Sequence, residues 1–240
     1  MPKIEWDIQQ NSLDWMRLRS SIPTASCFDQ IITPKRGELS EGRKNYACRI
    51  IAARLLNWQA DSLEKIEHIE AGRRMEPFAV AQLEMLSDIK TRKVGFIRTD
   101  DLRFGASPDR VVMTGDAIGI TVECKAPTIP TQFRYLLYGH DEQYRPQVQG
   151  QLWVAEADKA VFYSDTDRTP PYLVETGRDE PFLAKLADCM ERFSDELCAL
   201  DEKARSLGDY QAFAEYVSPV QAEYGDPVQS ALDAQYAWGA

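Results

Sequence analysis

Ser107-Pro108-Asp109, followed after thirteen residues by Glu123-Cys124-Lys125, is the stretch whose reading decides the fold. It has the form Asp…Glu-x-Lys, with the acids and the lysine on neighbouring β-type segments. Side chains alternate along a strand, so Lys125 shares a face with Glu123. Two carboxylates suit a hard divalent cation, which prefers oxygen donors. A metal, two acids and an ammonium together make a site for hydrolysing a phosphodiester. Two surface acids beside turns would give the same letters. Here, however, Glu123 follows an apolar run (Ile118, Ile120, Val122) that belongs inside a sheet. A carboxylate and an ammonium buried together are costly unless they serve each other or a metal.

Outward from that stretch, the chain reads as helices, then strands, then helices. Val94–Arg98, Leu102–Ala106, Arg110–Thr114 and Ile118–Cys124 are short β-branched or aromatic runs, punctuated by Asp100-Asp101 and Gly115-Asp116. They predict an antiparallel meander whose last strand carries Glu123 and Lys125. Upstream, helices are expected at Asn11–Leu18, Thr24–Ile32, Arg43–Trp58, Ser62–Ile69 and Ala71–Leu86, with Thr24 or Ser26 as an N-cap. In the last of these, Met75, Phe78, Ala79, Gln82, Leu83 and Leu86 fall on one face. Downstream come helices at Gln132–Tyr138 and Pro146–Val154, then strands at Ala160–Ser164 and Tyr172–Glu175. A long amphipathic helix runs from Asp179 to about Leu207. The economical architecture is one α/β domain over residues 1–240, with 208–240 as a C-terminal arm.

Composition bounds the function. No apolar run approaches the roughly 20 residues of a membrane span, and no signal peptide is expected. The five cysteines are odd in number and scattered, which fits reduced thiols better than a disulfide framework. With two histidines and no CxxC, a zinc site is not expected. The net charge of −10 looks wrong for a nucleic-acid enzyme, but it is unevenly spread. Residues 1–54 carry nine Lys/Arg against six Asp/Glu, whereas residues 155–240 carry seven against eighteen. The acidity belongs to the C-terminal third, and contact with DNA is a local matter at physiological salt. The plain reading of that third is a solvated surface.

Three further features stand out. Glu76 lies among apolar neighbours on its helix, although a surface acid would look the same. Gln147 begins a run with Gln at every second position (Gln147-Val148-Gln149-Gly150-Gln151), odd for a helix face and able to meet a phosphate or a water. Arg17 and Arg19 precede an Ile-Pro-Thr-Ala-Ser turn, where they could meet a phosphate as a fork or pair with Asp14 or Asp29.

In order, Trp15-x-x-Leu18-Arg19-x-x-Ile22-x-Thr24-Ala25-Ser26, Gly72-x-x-x-Glu76, Ser107-Pro108-Asp109, Glu123-Cys124-Lys125 and Gln147-Val148-Gln149 resemble the lambda-exonuclease (YqaJ-like) family of viral recombination nucleases, within the PD-(D/E)xK superfamily. The resemblance spans about residues 12–155. It implies a restriction-endonuclease-like α/β core, a mixed central sheet flanked by helices. It also implies a processive 5′→3′ exonuclease on linear duplex DNA that leaves 3′ single-stranded overhangs for annealing recombination. Asp109, Glu123 and the Cys124 carbonyl would hold Mg²⁺ in a two-metal site, with Mn²⁺ as a substitute. Glu76 would complete the acidic cluster, Lys125 would activate water and Gln147 would position it or the phosphate. Arg19, Ser26 and Ser107 would grip the 5′-phosphate, and Ile69 stands where the family places an apolar residue near the fork. The implied partners are double-stranded DNA ends, two further copies in a trimeric ring with basic N-terminal helices toward its channel, and a single-strand annealing protein. The implied setting is the cytoplasm of a bacterial host, encoded by a phage or prophage.

Two other readings compete. A sequence-specific endonuclease of the same superfamily would cut closed circles, and a DNA-end-binding module would keep the fold without catalysis. The complete set of acids and lysine argues against the second.

Overall fold

The computed structural model describes residues 1–56, 78–140, 142–166 and 168–210. The chain divides into two compact units, 1–198 and 199–240. The second contains the last turns of a long helix, where Arg205 Nε donates to Asp201 Oδ2 over 3.1 Å. The expected arm at 208–240 lies outside the described residues beyond 210, as do Ser62–Ile69 and the first half of Ala71–Leu86.

The first unit is built on two sheets. β1 (Lys3–Glu5), β2 (Phe96–Arg98) and β3 (Gly105–Ala106) form a three-stranded antiparallel sheet. β4 (Arg110–Thr114), β5 (Ala117–Lys125), β6 (Lys159–Ser164) and β7 (Tyr172–Gly177) form the second. In it β5 and β6 run parallel and the other pairs antiparallel, so the sheet is mixed.

The expected four-strand meander is therefore broken in two. β3 pairs over only two residues, and Ser107-Pro108 follows it at once. Proline has no N–H to donate to a ladder, so the chain leaves one sheet before entering the next. β1 is not foreseen from its sequence, because three residues show no usable alternation. Its neighbouring turn presses against Gly95, where an added Cβ would lie 2.0 Å from the Ile8 carbonyl oxygen.

Helices cover both faces of the central strands. α1 (Leu13–Ser21) is capped by Ser12, whose side chain accepts from the Trp15 N–H. The expected helix at 24–32 is a 3₁₀ turn, Ala25–Gln30, with Thr24 as N-cap but no side-chain capping bond. α2 (Arg43–Leu56) follows, then helical residues 78–87 (α3). α4 (Ile129–Tyr138), α5 (Arg145–Ala155) and α6 (Glu180–Ser206) complete the set.

α3 buries Ala79 and Leu83 against Val122, Val161 and Tyr163. Phe78 and Leu86, expected on that face, are exposed, because the helix meets the sheet along a narrower stripe of Ala79 and Leu83. α5 packs on the 3₁₀ turn so closely that a Cβ at Gly150 would meet the Phe28 ring at 2.4 Å. Among the described residues, no helix is long and apolar enough to cross a membrane.

Candidate active site

β5 is sandwiched at its centre, with Thr121, Val122 and Glu123 buried in succession. Alternation sends Val122 toward α3, and Thr121, Glu123 and Lys125 to the other face, the one α5 covers. A helix laid over a strand that ends in an acid must supply that acid with donors, and α5 does so with amides. Gln147 Nε2 donates to Glu123 Oε1 over 2.7 Å, and Gln151 Nε2 to Oε2 over 2.6 Å. Lys125 Nζ donates to Oε1 over 2.5 Å, so a carboxylate only 6% exposed receives three donors. This resolves the odd glutamine run. Positions 147 and 151 share a helix face. Gln149 points elsewhere, donating to the Gly177 carbonyl and accepting from the Asp179 N–H.

Asp109 lies immediately before β4, and its Oδ2 accepts from the Cys124 N–H over 2.7 Å. That N–H belongs to the peptide linking Glu123 to Cys124, so the backbone itself ties the two acids into one corner. Gln10 Nε2 bonds the Pro108 carbonyl over 3.0 Å and the Val94 carbonyl over 2.9 Å, holding the approach to Asp109.

Burial acts to lower the Lys125 pKa, but the charge and hydrogen bond of Glu123, with Asp109 and Tyr144 behind them, prevail and push it up to about 12. Lys125 is thereby held as an ammonium. Its Nζ lies 5.4 Å from the centre of the Tyr144 ring, which packs edge-on to the buried Tyr135 of α4.

The carboxylate oxygens of Asp109 and Glu123 gathered here are hard donors of the kind a divalent cation prefers. Among the described residues, no cluster of three or more His, Cys, Asp or Glu forms a candidate metal site. Glu76, the third acid expected from the sequence, lies outside the described residues, as does Ile69.

A second polar cluster joins the other expected residues. The Trp15 indole N–H donates to Ser107 Oγ over 3.0 Å. The Arg19 guanidinium lies 4.4 Å above the Trp15 ring and donates to Ser26 Oγ over 3.0 Å. Thr24 and Ser26 hydroxyls are 3.3 Å apart. The fold brings these together because Thr24 forms a parallel bridge with Gly105, whose N–H donates to the Pro23 carbonyl. Beneath them, buried Tyr46 accepts from the Thr24 N–H over 3.0 Å and stacks on Phe193. Arg19, Ser26 and Ser107 thus meet around one indole, two residues from Asp109.

Arg17 does not join them; it pairs with Asp14 at the surface, 3.7 Å away. The three arginines of α2 are likewise engaged within the fold: Arg43 with Glu196, Arg49 with Gln30 and Arg54 with the Ser21 carbonyl, while Lys44 pairs with Glu41 at the surface. Two contributors were not singled out from the sequence. Gln151 was signalled by its four-residue offset from Gln147, whereas the role of Gln10 carries no local signal.

The chain is 27% identical to an alkaline exonuclease (LHK-Exo) from Laribacter hongkongensis, with a TM-score of 0.70, over 82% of this chain and 100% of that one. A structure of LHK-Exo in complex with dAMP matches with the same TM-score and coverage at 28% identity. A phage-related exonuclease from Haemophilus somnus 129PT shares the fold at 14% identity and a TM-score of 0.61, over 80% of this chain and 98% of that one. A search of curated proteins returned no significant match. The YqaJ-like viral recombinase domain matches residues 14–158, a span that takes in Trp15, Arg19, both acids, Lys125 and the paired glutamines. With that match over more than half its length, the chain belongs to the YqaJ-like viral recombinase domain family.

Proposed function

We propose that this protein is a Mg²⁺-dependent exonuclease that digests linear duplex DNA from its 5′ ends and leaves 3′ single-stranded overhangs for annealing recombination. The observation that carries this reading is the tie between Asp109, the Cys124 peptide and Glu123, with Lys125 and Gln147 on the same carboxylate. Family membership and the likeness to LHK-Exo support the class of activity.

Asp109, Glu123 and the Cys124 carbonyl would hold the cation, Mg²⁺ or Mn²⁺ in its place, with Glu76 as a further acid of a two-metal site. When bound, the metal lowers the pKa of a water and stabilises the phosphate charge. Lys125 takes its place beside that water or phosphate, where its ammonium neutralises developing charge. Gln147, bonded to the same Oε1, helps to orient the water or phosphate.

Arg19, Ser26 and Ser107 grip the 5′-phosphate, the guanidinium offering charge and the hydroxyls hydrogen bonds. Trp15 holds two of the three in place. The partners in this reading are double-stranded DNA ends, two further copies of the chain in a ring, and a single-strand annealing protein, in the cytoplasm of a bacterial host.

The test is digestion with Mg²⁺ of a 5′-phosphorylated linear duplex, beside a 5′-hydroxyl linear duplex and a supercoiled circle. Loss of only the linear DNA, fastest with 5′-phosphate and leaving the 3′-ended strand, is expected. Cutting of the circle would make the protein an endonuclease. Binding without cutting of any substrate would make it an end-binding module.

A further inference from the structure

Gln151 spends its one productive bond in an unusual way. It is 2% exposed and sits on α5, one turn after Gln147. Its Nε2 donates to Glu123 Oε2, while its own Oε1 is buried without a protein partner. An amide that leaves its oxygen unsatisfied in a protein interior is a poor structural choice; an apolar side chain of the same length would fill the space without that cost. Its surroundings point to what offsets the cost.

Glu123 Oε1 already receives Lys125 and Gln147, whereas Oε2 receives Gln151 alone. A carboxylate has about four lone-pair positions. Three donors leave the remaining capacity chiefly on Oε2, and Gln151 decides where that oxygen points. Thr121, two residues before Glu123 on the same strand face, also has a buried hydroxyl without a protein partner.

Resting on the metal-site reading above, we infer that Gln151 is a positioning residue: it fixes the Glu123 carboxylate and presents Oε2 to the divalent cation. In this role it acts through the carboxylate and not on the reacting atoms. Groups that orient a ligand in this way change metal affinity by about 10–100-fold when removed.

The experiment is calorimetric titration of the full-length protein with Mn²⁺, using Glu123→Gln as the background for binding to surface acids, alongside the Mg²⁺ concentration for half-maximal digestion. Gln151→Met preserves length and removes the amide. It should bind Mn²⁺ about tenfold more weakly and require about tenfold more Mg²⁺, while binding 5′-phosphorylated duplex ends like the wild type. Gln151→Asn keeps the amide one methylene short of Oε2. It should show the same weakened Mn²⁺ affinity, and it serves if the Met variant fails to fold.

Mn²⁺ affinity and Mg²⁺ requirement equal to wild type, with only a lowered Tm, would overturn the inference and leave Gln151 as packing. Wild-type protein that binds no Mn²⁺ beyond the Glu123→Gln background would instead remove the metal reading on which the inference stands.

Discussion

The acidic corner and the Trp15 cluster meet where Ser107 stands two residues before Asp109, yet they are built on opposite principles. Glu123 is buried on a central strand and held by three donors from two elements, with a backbone peptide joining it to Asp109. Arg19, Ser26 and Ser107 come from a helix, a 3₁₀ turn and a loop, and are joined by side-chain contacts around one indole, with the Arg19–Ser26 bond exposed. Groups that act on a transition state must be fixed before it forms, and burial fixes them. Groups that take up and release a charged end on every cycle work better near water, where a phosphate keeps part of its hydration. The contrast suggests that the first cluster governs the chemical step and the second governs which ends are engaged.

The largest effect should come from Glu123→Ala. Digestion should fall by roughly three orders of magnitude or more, while a gel-shift assay with 5′-phosphorylated duplex shows end binding close to wild type. Parallel loss of rate and end binding would mean that the two clusters are not separable.

Arg19→Ala should act in the other direction. A charge-assisted phosphate contact contributes about 1.5–3 kcal/mol, so the preference for 5′-phosphate over 5′-hydroxyl ends should fall by about tenfold or more. The rate on hydroxyl ends should hardly change. An unaltered ratio would take Arg19 out of the grip.

The smallest effect is a scaffold control outside both clusters. Asp179 Oδ1 accepts from the Phe182 N–H at the start of α6, and its other oxygen pairs with Arg145 of α5. The Arg145 hydrogen bond, outweighing burial, holds the Asp179 carboxyl below its ordinary range. A depressed carboxyl stabilises the fold above the unfolded-state pKa and stops doing so as pH falls through the folded value. Asp179→Ala should therefore remove about 1 kcal/mol at pH 7 and lower Tm by about 2–4 °C. The difference from wild type should close below about pH 3.9. End preference and metal requirement should stay unchanged, so a change in either would show that α5 transmits strain to the acids.

How much of this could be read from residue order follows the physics of each part. Glu123 and Lys125 were legible because a strand's alternation puts them on one face and an apolar run carries Glu123 into the sheet, and Asp109 because it stands a strand's length before them. Gln147 was legible as an anomaly on a helix. Its companion Gln151 was not singled out, because an i,i+4 amide pair looks like surface polarity until a buried acid lies beneath it. The division of the meander into two sheets depends on a proline and a two-residue strand, features too short for periodicity to register. The exposed Phe78 and Leu86 of α3 carry the same lesson: a helical stripe shows which residues can be buried, whereas the partner surface decides how many are.

Gly150 gives the contrast between the clusters a mechanical side. It lets α5, which carries both glutamines on Glu123, rest directly on Phe28 in the 3₁₀ turn that carries Ser26. In the exonuclease reading, the turn that helps to hold a strand end and the helix that steadies the cutting acid bear directly on each other through one glycine-to-ring contact. A side chain at position 150 should therefore disturb both clusters at once, lowering end preference and rate together.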